Sequence, residues 1–203
     1  MSTRNLFVLI ILLVVAVGAF LYFKGGSLIN LEKSGNKEYV KDGVTYQGYW
    51  NADIGLGFSY KKDPNGYTLL DKDILTVAFP GIEKYMTLIN GEDYHTLLHD
   101  KGSHDGPPFI HFMIFKNASN LNVADWLKQN GKNVGYVDGK TVTSVESLGG
   151  ADGLRYKADG LYMQDIVVMS NNYNIYVFSG DYPEESASIR TDFLDLLKTL
   201  EFF

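Results

Sequence analysis

Phe109-Ile-His-Phe-Met-Ile-Phe115 decides how the chain folds, because its side chains are apolar at almost every position. A strand that faces solvent on one side alternates apolar and polar residues, whereas a strand buried on both faces does not. The stretch therefore predicts a central strand in a sheet that is covered on both sides. We interpret His111, its one polar side chain, as a hydrogen-bonded core histidine rather than a ligand.

A helix is predicted directly after this strand, because its ends are marked in the sequence. Asn122 can cap the first turn, and Asp125 stands three residues later. Leu121 and Trp126 have the spacing of a hydrophobic staple. Gly131 marks the end of the helix.

Short β-type segments joined by tight turns occupy positions 141–179. Asp159-Gly160 is a hairpin turn signal, and Asn171-Asn172 marks a second turn. Consecutive strands with short connections pair antiparallel, so this half of the chain predicts an antiparallel meander.

The last predicted element is a helix from about Pro183 to Leu200. Asp181 and Glu184 have the spacing of a capping box, and apolar residues recur on one helical face. These residues are Ile189, Phe193, Leu196, Leu197 and Leu200. The predicted fold class is α+β, an antiparallel sheet with helices on both faces (an α/β/α sandwich).

The region before the central strand predicts further strands and a linker. Strands are expected at Gly57–Tyr60, Leu75–Phe79 and Tyr85–Ile89, with a turn at Asp63-Pro-Asn-Gly66. Residues 25–45 have mixed charge and no sustained apolar period, so we predict a linker there and a globular domain over 46–203.

The run from Leu6 to Phe23 contains no charged side chain and spans roughly 27 Å as a helix. Bulky residues stand where a signal peptidase needs small ones, so residues 1–24 predict an uncleaved signal anchor. Arg4 before the run favours the N-terminus inside, which predicts a single-pass protein of the cell membrane with an extracytoplasmic domain.

Composition excludes several classes of function. The formal net charge of −6 argues against a nucleic-acid partner, because phosphate binding needs a basic surface. The chain has no cysteine, which excludes disulfides, thiolate nucleophiles and cysteine-bound zinc. An extracytoplasmic domain without disulfides favours a prokaryotic envelope.

Three short motifs resemble those of the PsbP-like family, over about Trp50 to Phe203. They are Gly57-Phe-Ser-Tyr60 before a proline turn, Phe112-Met-Ile-Phe-Lys-Asn117 leading to Asp125-Trp-Leu127, and the closing Thr199-Leu-Glu-Phe-Phe203. The resemblance implies a non-enzymatic accessory or binding domain with a protein partner, and no site residue is carried over from it.

Histidines cluster in one stretch, which is the most distinctive chemical feature of the chain. On a short helix over 92–100, His95 and His99 would stand one turn apart and could bind one zinc or copper ion. His104 or Asp105 could complete this site from the following loop, and the alternative is a solvated polar loop. We expect the functional surface to lie between about Gly91 and Pro108.

No recognised catalytic motif is present in the sequence. Asp165, within a predicted strand, is expected to face water or to pair with Arg155 or Lys157. The leading hypothesis is therefore a membrane-tethered accessory or binding domain. A transition-metal-binding domain and an unrecognised hydrolase are the alternatives.

Overall fold

The computed structural model describes residues 34–71, 81–99, 106–137 and 141–203. The run Leu6–Phe23 and the predicted strand Leu75–Phe79 lie outside these residues. Within the described ranges, no helix is long and apolar enough to cross a bilayer.

The described residues form strands, α-helices and one 3₁₀ turn, Gly131–Val134. The strands are β1 Ser34–Lys41, β2 Val44–Asn51, β3 Leu56–Lys61, β4 Tyr67–Asp71, β5 Ile82–Asn90, β6 Ile110–Lys116, β7 Thr143–Leu148, β8 Ala151–Asp159, β9 Met163–Asn171, β10 Asn174–Tyr182 and β11 Glu201–Phe202. The helices are α1 Gly91–His99, α2 Val123–Asn130 and α3 Ser188–Leu197.

These strands form two antiparallel sheets. The large sheet has the order β4-β5-β6-β10-β9-β8-β7, and the small sheet has the order β1-β2-β3-β11. β6 lies inside the large sheet between β5 and β10, as its apolar sequence predicts. The meander from β7 to β10 is also antiparallel, as predicted. The prediction of a single sheet was wrong, because it missed the small one.

Two apolar clusters cover the large sheet, and alternation along β9 separates them. Val167 and Met169 belong to the first cluster, whereas Ile166 and Val168 belong to the second. The first cluster also contains Phe58 of the small sheet and the apolar stripe of α3. The second contains Trp126 of α2. The buried strands are thus held between two separate layers of apolar side chains.

Residues 34–45 correct the predicted linker, because they form β1, a turn and the start of β2. The ladder is unbroken from Ser34 opposite Asn51 to Lys41 opposite Val44. Asp42 and Gly43 connect the strands with φ angles of 52° and 77°, the left-handed pair of a two-residue hairpin turn. The compact unit accordingly begins at Ser34 rather than near Tyr46.

The helix predictions were confirmed for α2 and corrected for α3. The backbone N–H of Asp125 donates to Asn122 Oδ1 at 2.9 Å, which is the predicted cap. α3 begins at Ser188, after Ala187 at a cap position without a side-chain hydrogen bond. Asp181 cannot cap it, since this residue lies in β10. The apolar stripe of α3 is buried as predicted.

Candidate functional site

The predicted histidine site is only partly within the described residues. His95 lies on α1 with a side chain that is 66% exposed, and its Nε2 is 4.0 Å from Asp63 Oδ2. The side chain of His99 and all of His104 lie outside the described residues. No group of three metal-ligating side chains occurs among the described residues. Metal binding at His95, His99 and His104 therefore stays a prediction.

His111 is a hydrogen-bonded histidine of the large sheet, as the sequence indicates. Its Nδ1 lies 2.5 Å from the Tyr85 hydroxyl, and its Nε2 lies 3.1 Å from Asp181 Oδ2. Gln164 and Ser179 donate to the other oxygen of Asp181, at 2.9 and 3.3 Å. Both ring nitrogens of His111 are thus engaged, which leaves neither for a metal ion or a nucleophile.

Asp165 is fully buried and has two arginine partners. Arg155 Nη2 lies 2.9 Å from one carboxylate oxygen, and Arg190 Nε lies 2.8 Å from the other. Of the predicted alternatives, pairing with Arg155 is confirmed and exposure to water was wrong, because Asp165 is buried. Its second partner, Arg190, comes from α3 and was not predicted. Lys157 pairs with Glu185 instead. This carboxylate fastens α3 to the large sheet and is not open to a substrate.

The described residues form a cleft of about 440 Å³ between the small sheet and α3, which is a candidate binding site. Its lining combines tyrosines, lysines and carboxylates from β1, β2, β3 and α3. The principal lining residues are Tyr39, Lys41, Tyr46, Ser59, Lys61, Asp192, Asp195 and Thr199. We call it the β3–α3 cleft.

The end of α3 is fastened to β3 at one side of this cleft. The backbone N–H of Ser59 donates to Thr199 Oγ1 at 2.9 Å, and this hydroxyl contacts Ser59 O at 3.2 Å. The Thr199 side chain therefore continues the pairing of β3 beyond β11, whose residues lie opposite Leu56 and Gly57. These contacts hold one wall of the cleft in place.

Asp192 is the polar centre of the cleft. Its carboxylate accepts from Lys61 Nζ at 2.5 Å and from the Tyr67 hydroxyl at 3.0 Å. The hydrogen bond to Asp192 raises the pKa of Lys61, so this ammonium stays charged. Burial, and then the charge of Asp192, raises the pKa of Tyr67. Asp192 is thus committed to two partners and is poorly placed to act as a general base.

The remaining phenols of the cleft favour contact over acid–base chemistry. Burial, aided by the charge of Glu38, raises the pKa of Tyr60 to about 12. Tyr39 and Tyr46 face each other across the hairpin with ring centroids 5.5 Å apart and 12° between planes. Tyr39 is 41% exposed, so this stacked pair is open to a partner.

An aromatic strip continues from the cleft along the outward face of the small sheet. Side chains alternate between faces, so Tyr46 and Trp50 share the face of Tyr39. Trp50 lies over Gly35, where an added Cβ would stand 2.6 Å from its Nε1. Neither Tyr46 nor Trp50 belongs to an apolar cluster of the core. The strip therefore lies on the surface of the small sheet. The sequence analysis missed it because it predicted a linker where β1 lies.

Comparisons with known proteins give a likeness to solved structures, but not to a family or a curated sequence. No family model matches the chain, and no curated protein matches its sequence. The solved structure of cyanobacterial PsbP (CyanoP) from Synechocystis sp. PCC 6803 is similar, with 13% identity and a TM-score of 0.49. The match covers 83% of this chain and 98% of that one. A likeness of this size carries no argument about function, and the PsbP-like resemblance stays a prediction.

Proposed function

We propose that this chain is a membrane-tethered accessory domain that binds a partner protein through the β3–α3 cleft and the adjoining aromatic strip. The observation that carries the proposal is the exposed stack of Tyr39 on Tyr46 at the mouth of the cleft. Aromatic side chains supply a large contact area at a low entropic cost, and they are enriched at protein interfaces.

Binding is favoured over hydrolysis by the state of the polar groups in the cleft. A hydrolase needs a nucleophile or an activated water beside a base with a suitable pKa. Here the carboxylate of Asp192 is held by Lys61 and Tyr67, and Tyr60 remains a neutral phenol at physiological pH. These groups are suited to form hydrogen bonds with a partner rather than to act as a nucleophile or a base.

Photo-crosslinking tests the proposed surface directly. We would place a photoreactive phenylalanine analogue at Tyr39 in the full chain, in its native membranes. Leu161, which is 65% exposed and outside the cleft, is the control position. A discrete crosslinked species is expected from position 39 and not from position 161. Equal labelling at both positions, or none at either, would contradict the proposed surface.

The tether belongs to the same proposal. It is supported by the uncharged run from Leu6 to Phe23, preceded by Arg4, which favours a single-pass anchor with the domain outside a prokaryotic cell membrane. The chain should stay in the membrane pellet at alkaline pH, and protease added to spheroplasts should degrade a C-terminal tag. Release of the chain by alkali would contradict the proposed anchor. A tag protected from protease would contradict the proposed orientation.

Metal binding is a second candidate function. The backbone of α1 spans Gly91–His99, so His95 and His99 stand four residues apart on a helix, the spacing that lets two imidazoles share an ion. Zinc or copper titration of the full chain should then show tight stoichiometric binding. Replacing both residues by alanine should abolish it, and unchanged uptake would exclude this site.

A further inference from the structure

The outer edge of β1 is open along its whole length among the described residues. The small sheet has β1 at one end, and β1 pairs with β2 alone. Nearly every residue of this strand is exposed, and its ladder with β2 has no register shift. Proteins usually protect such edges with short strands, lysines, a proline or a bulge, because an open edge can accept another strand. β1 carries lysines, but it is eight residues long and has no proline or bulge.

The hairpin turn determines which backbone groups of β1 point outward. Residues that flank a two-residue turn exchange hydrogen bonds, so Lys41 bonds with Val44 of β2. Hydrogen-bonded and non-bonded pairs alternate along an antiparallel ladder. The N–H and C=O groups of Asn36, Glu38 and Val40 therefore point away from β2, toward the place of an added strand.

The side chains of β1 define what an added strand should carry. Lys37, Tyr39 and Lys41 alternate onto the outward face of the sheet, where Tyr39 continues into the aromatic strip. Glu38 lies on the opposite face, in an ion pair with Lys62. A strand with acidic residues opposite the two lysines and an aromatic residue opposite Tyr39 would be complementary.

A second copy of the chain is a poorer occupant of this edge. Two β1 strands that paired antiparallel about Tyr39 would place Lys37 of one opposite Lys41 of the other. Like charges directly opposite each other destabilise a strand pair. The lysines thus oppose self-pairing in this register while they attract an acidic segment.

We propose that β1 accepts an extended acidic segment of the partner protein as an additional antiparallel strand of the small sheet. Backbone hydrogen bonds to Asn36, Glu38 and Val40 hold the segment, and Lys37 and Lys41 select its charge. This inference rests on the proposed function, since it names the kind of segment that docks beside the cleft.

The probe is a fluorescent peptide, Glu-Val-Tyr-Lys-Glu-Thr, whose residues in order face Lys41 through Asn36. Anisotropy is measured with the full chain in detergent micelles. Exchanging the charges of the peptide, to Lys-Val-Tyr-Glu-Lys-Thr, should abolish binding. The K37E/K41E variant should weaken the original peptide roughly tenfold and should instead bind the exchanged peptide.

Val40→Pro tests the backbone contacts, with Val40→Thr as the matched control. Proline removes the outward N–H of residue 40 and no ladder bond to β2, so the hairpin should persist, which circular dichroism checks. We expect V40P to lose roughly tenfold in affinity, because one backbone hydrogen bond to the added strand is lost, and V40T to bind normally.

Three outcomes would overturn the proposal. They are no binding of the peptide, equal binding by V40P and V40T, or indifference to the K37E/K41E exchange. Loss of binding in Tyr46→Ala but not in V40P would place the segment in the cleft, so the strand proposal would fail while the proposed function stands. Failure of the proposed function itself is read separately, from crosslinking at Tyr39.

Discussion

Replacing Asp165 by asparagine should destabilise the domain strongly, because it removes a buried charge that pairs with two arginines. The carboxylate is fully buried and contacts Arg155 and Arg190 at 2.9 and 2.8 Å. Charge-assisted hydrogen bonds contribute about 1.5–3 kcal/mol each, so two of them set an upper range of about 3–6 kcal/mol. The arginine side chains are 32% and 23% exposed and can regain water, which lowers the expected loss to about 3 kcal/mol.

Thermal and urea unfolding would measure this loss. For a domain of this size a loss of about 3 kcal/mol lowers the melting temperature by about 6–12 °C. Asp159→Asn is the matched control, because Asp159 is exposed at the end of β8 and its replacement should change the stability by less than about 0.5 kcal/mol. If D165N and D159N had the same stability, the ion pairs of Asp165 would not contribute to it. The inference that Asp165 fastens α3 to the large sheet would then be wrong.

Three further changes test the core, the helix cap and the phenols. Phe193→Ala should cost about 3–5 kcal/mol in urea unfolding, because this side chain is fully buried in the first apolar cluster. Asn122→Ala should cost about 1 kcal/mol, since it removes the cap of α2. The pKa of Tyr60 is raised to about 12 in the folded state, so the unfolded chain loses this proton first and stability should fall as the pH rises from about 10 to 12. The fall attributable to Tyr60 is about 1.4 kcal/mol per pH unit in that window, and Tyr60→Phe should remove it.

For each of these changes, one result would contradict the prediction. A loss below about 1 kcal/mol in F193A would mean that α3 packs less tightly than the structure indicates. An unaffected N122A would show that water replaces the cap. For Tyr60, the same alkaline slope in the wild type and in Y60F would attribute the slope to other groups.

Local sequence signals predicted the parts of the fold whose causes are local. β6 was found from its unbroken apolar run, and α2 from the cap formed by Asn122. The start of α3 was misplaced because Asp181 and Glu184 have capping-box spacing, although Asp181 is used in the sheet by His111. Residue types alone do not reveal which of two partners a carboxylate will take.

The candidate site was missed because it depends on distant contacts and on an atypical strand. β1 is exposed on both faces, so it lacks the apolar alternation that identifies most strands. The turn signal Asp42-Gly43 was present and would have indicated the hairpin. The contact between Lys61 and Asp192, which closes the cleft, joins residues 131 positions apart and leaves no local trace in the sequence.

Ser34 is the first described residue of the chain and is already paired in β1, which matters if the domain is tethered as proposed. If the run ending at Phe23 is the proposed anchor, ten residues, Lys24–Lys33, join it to Ser34. Fully extended, ten residues reach at most about 35 Å. The short connection would then keep the open edge of β1 close to the lipid surface. A partner anchored in the same membrane would be present at a high effective concentration near this edge. Even a weakly binding strand would then occupy the edge of β1.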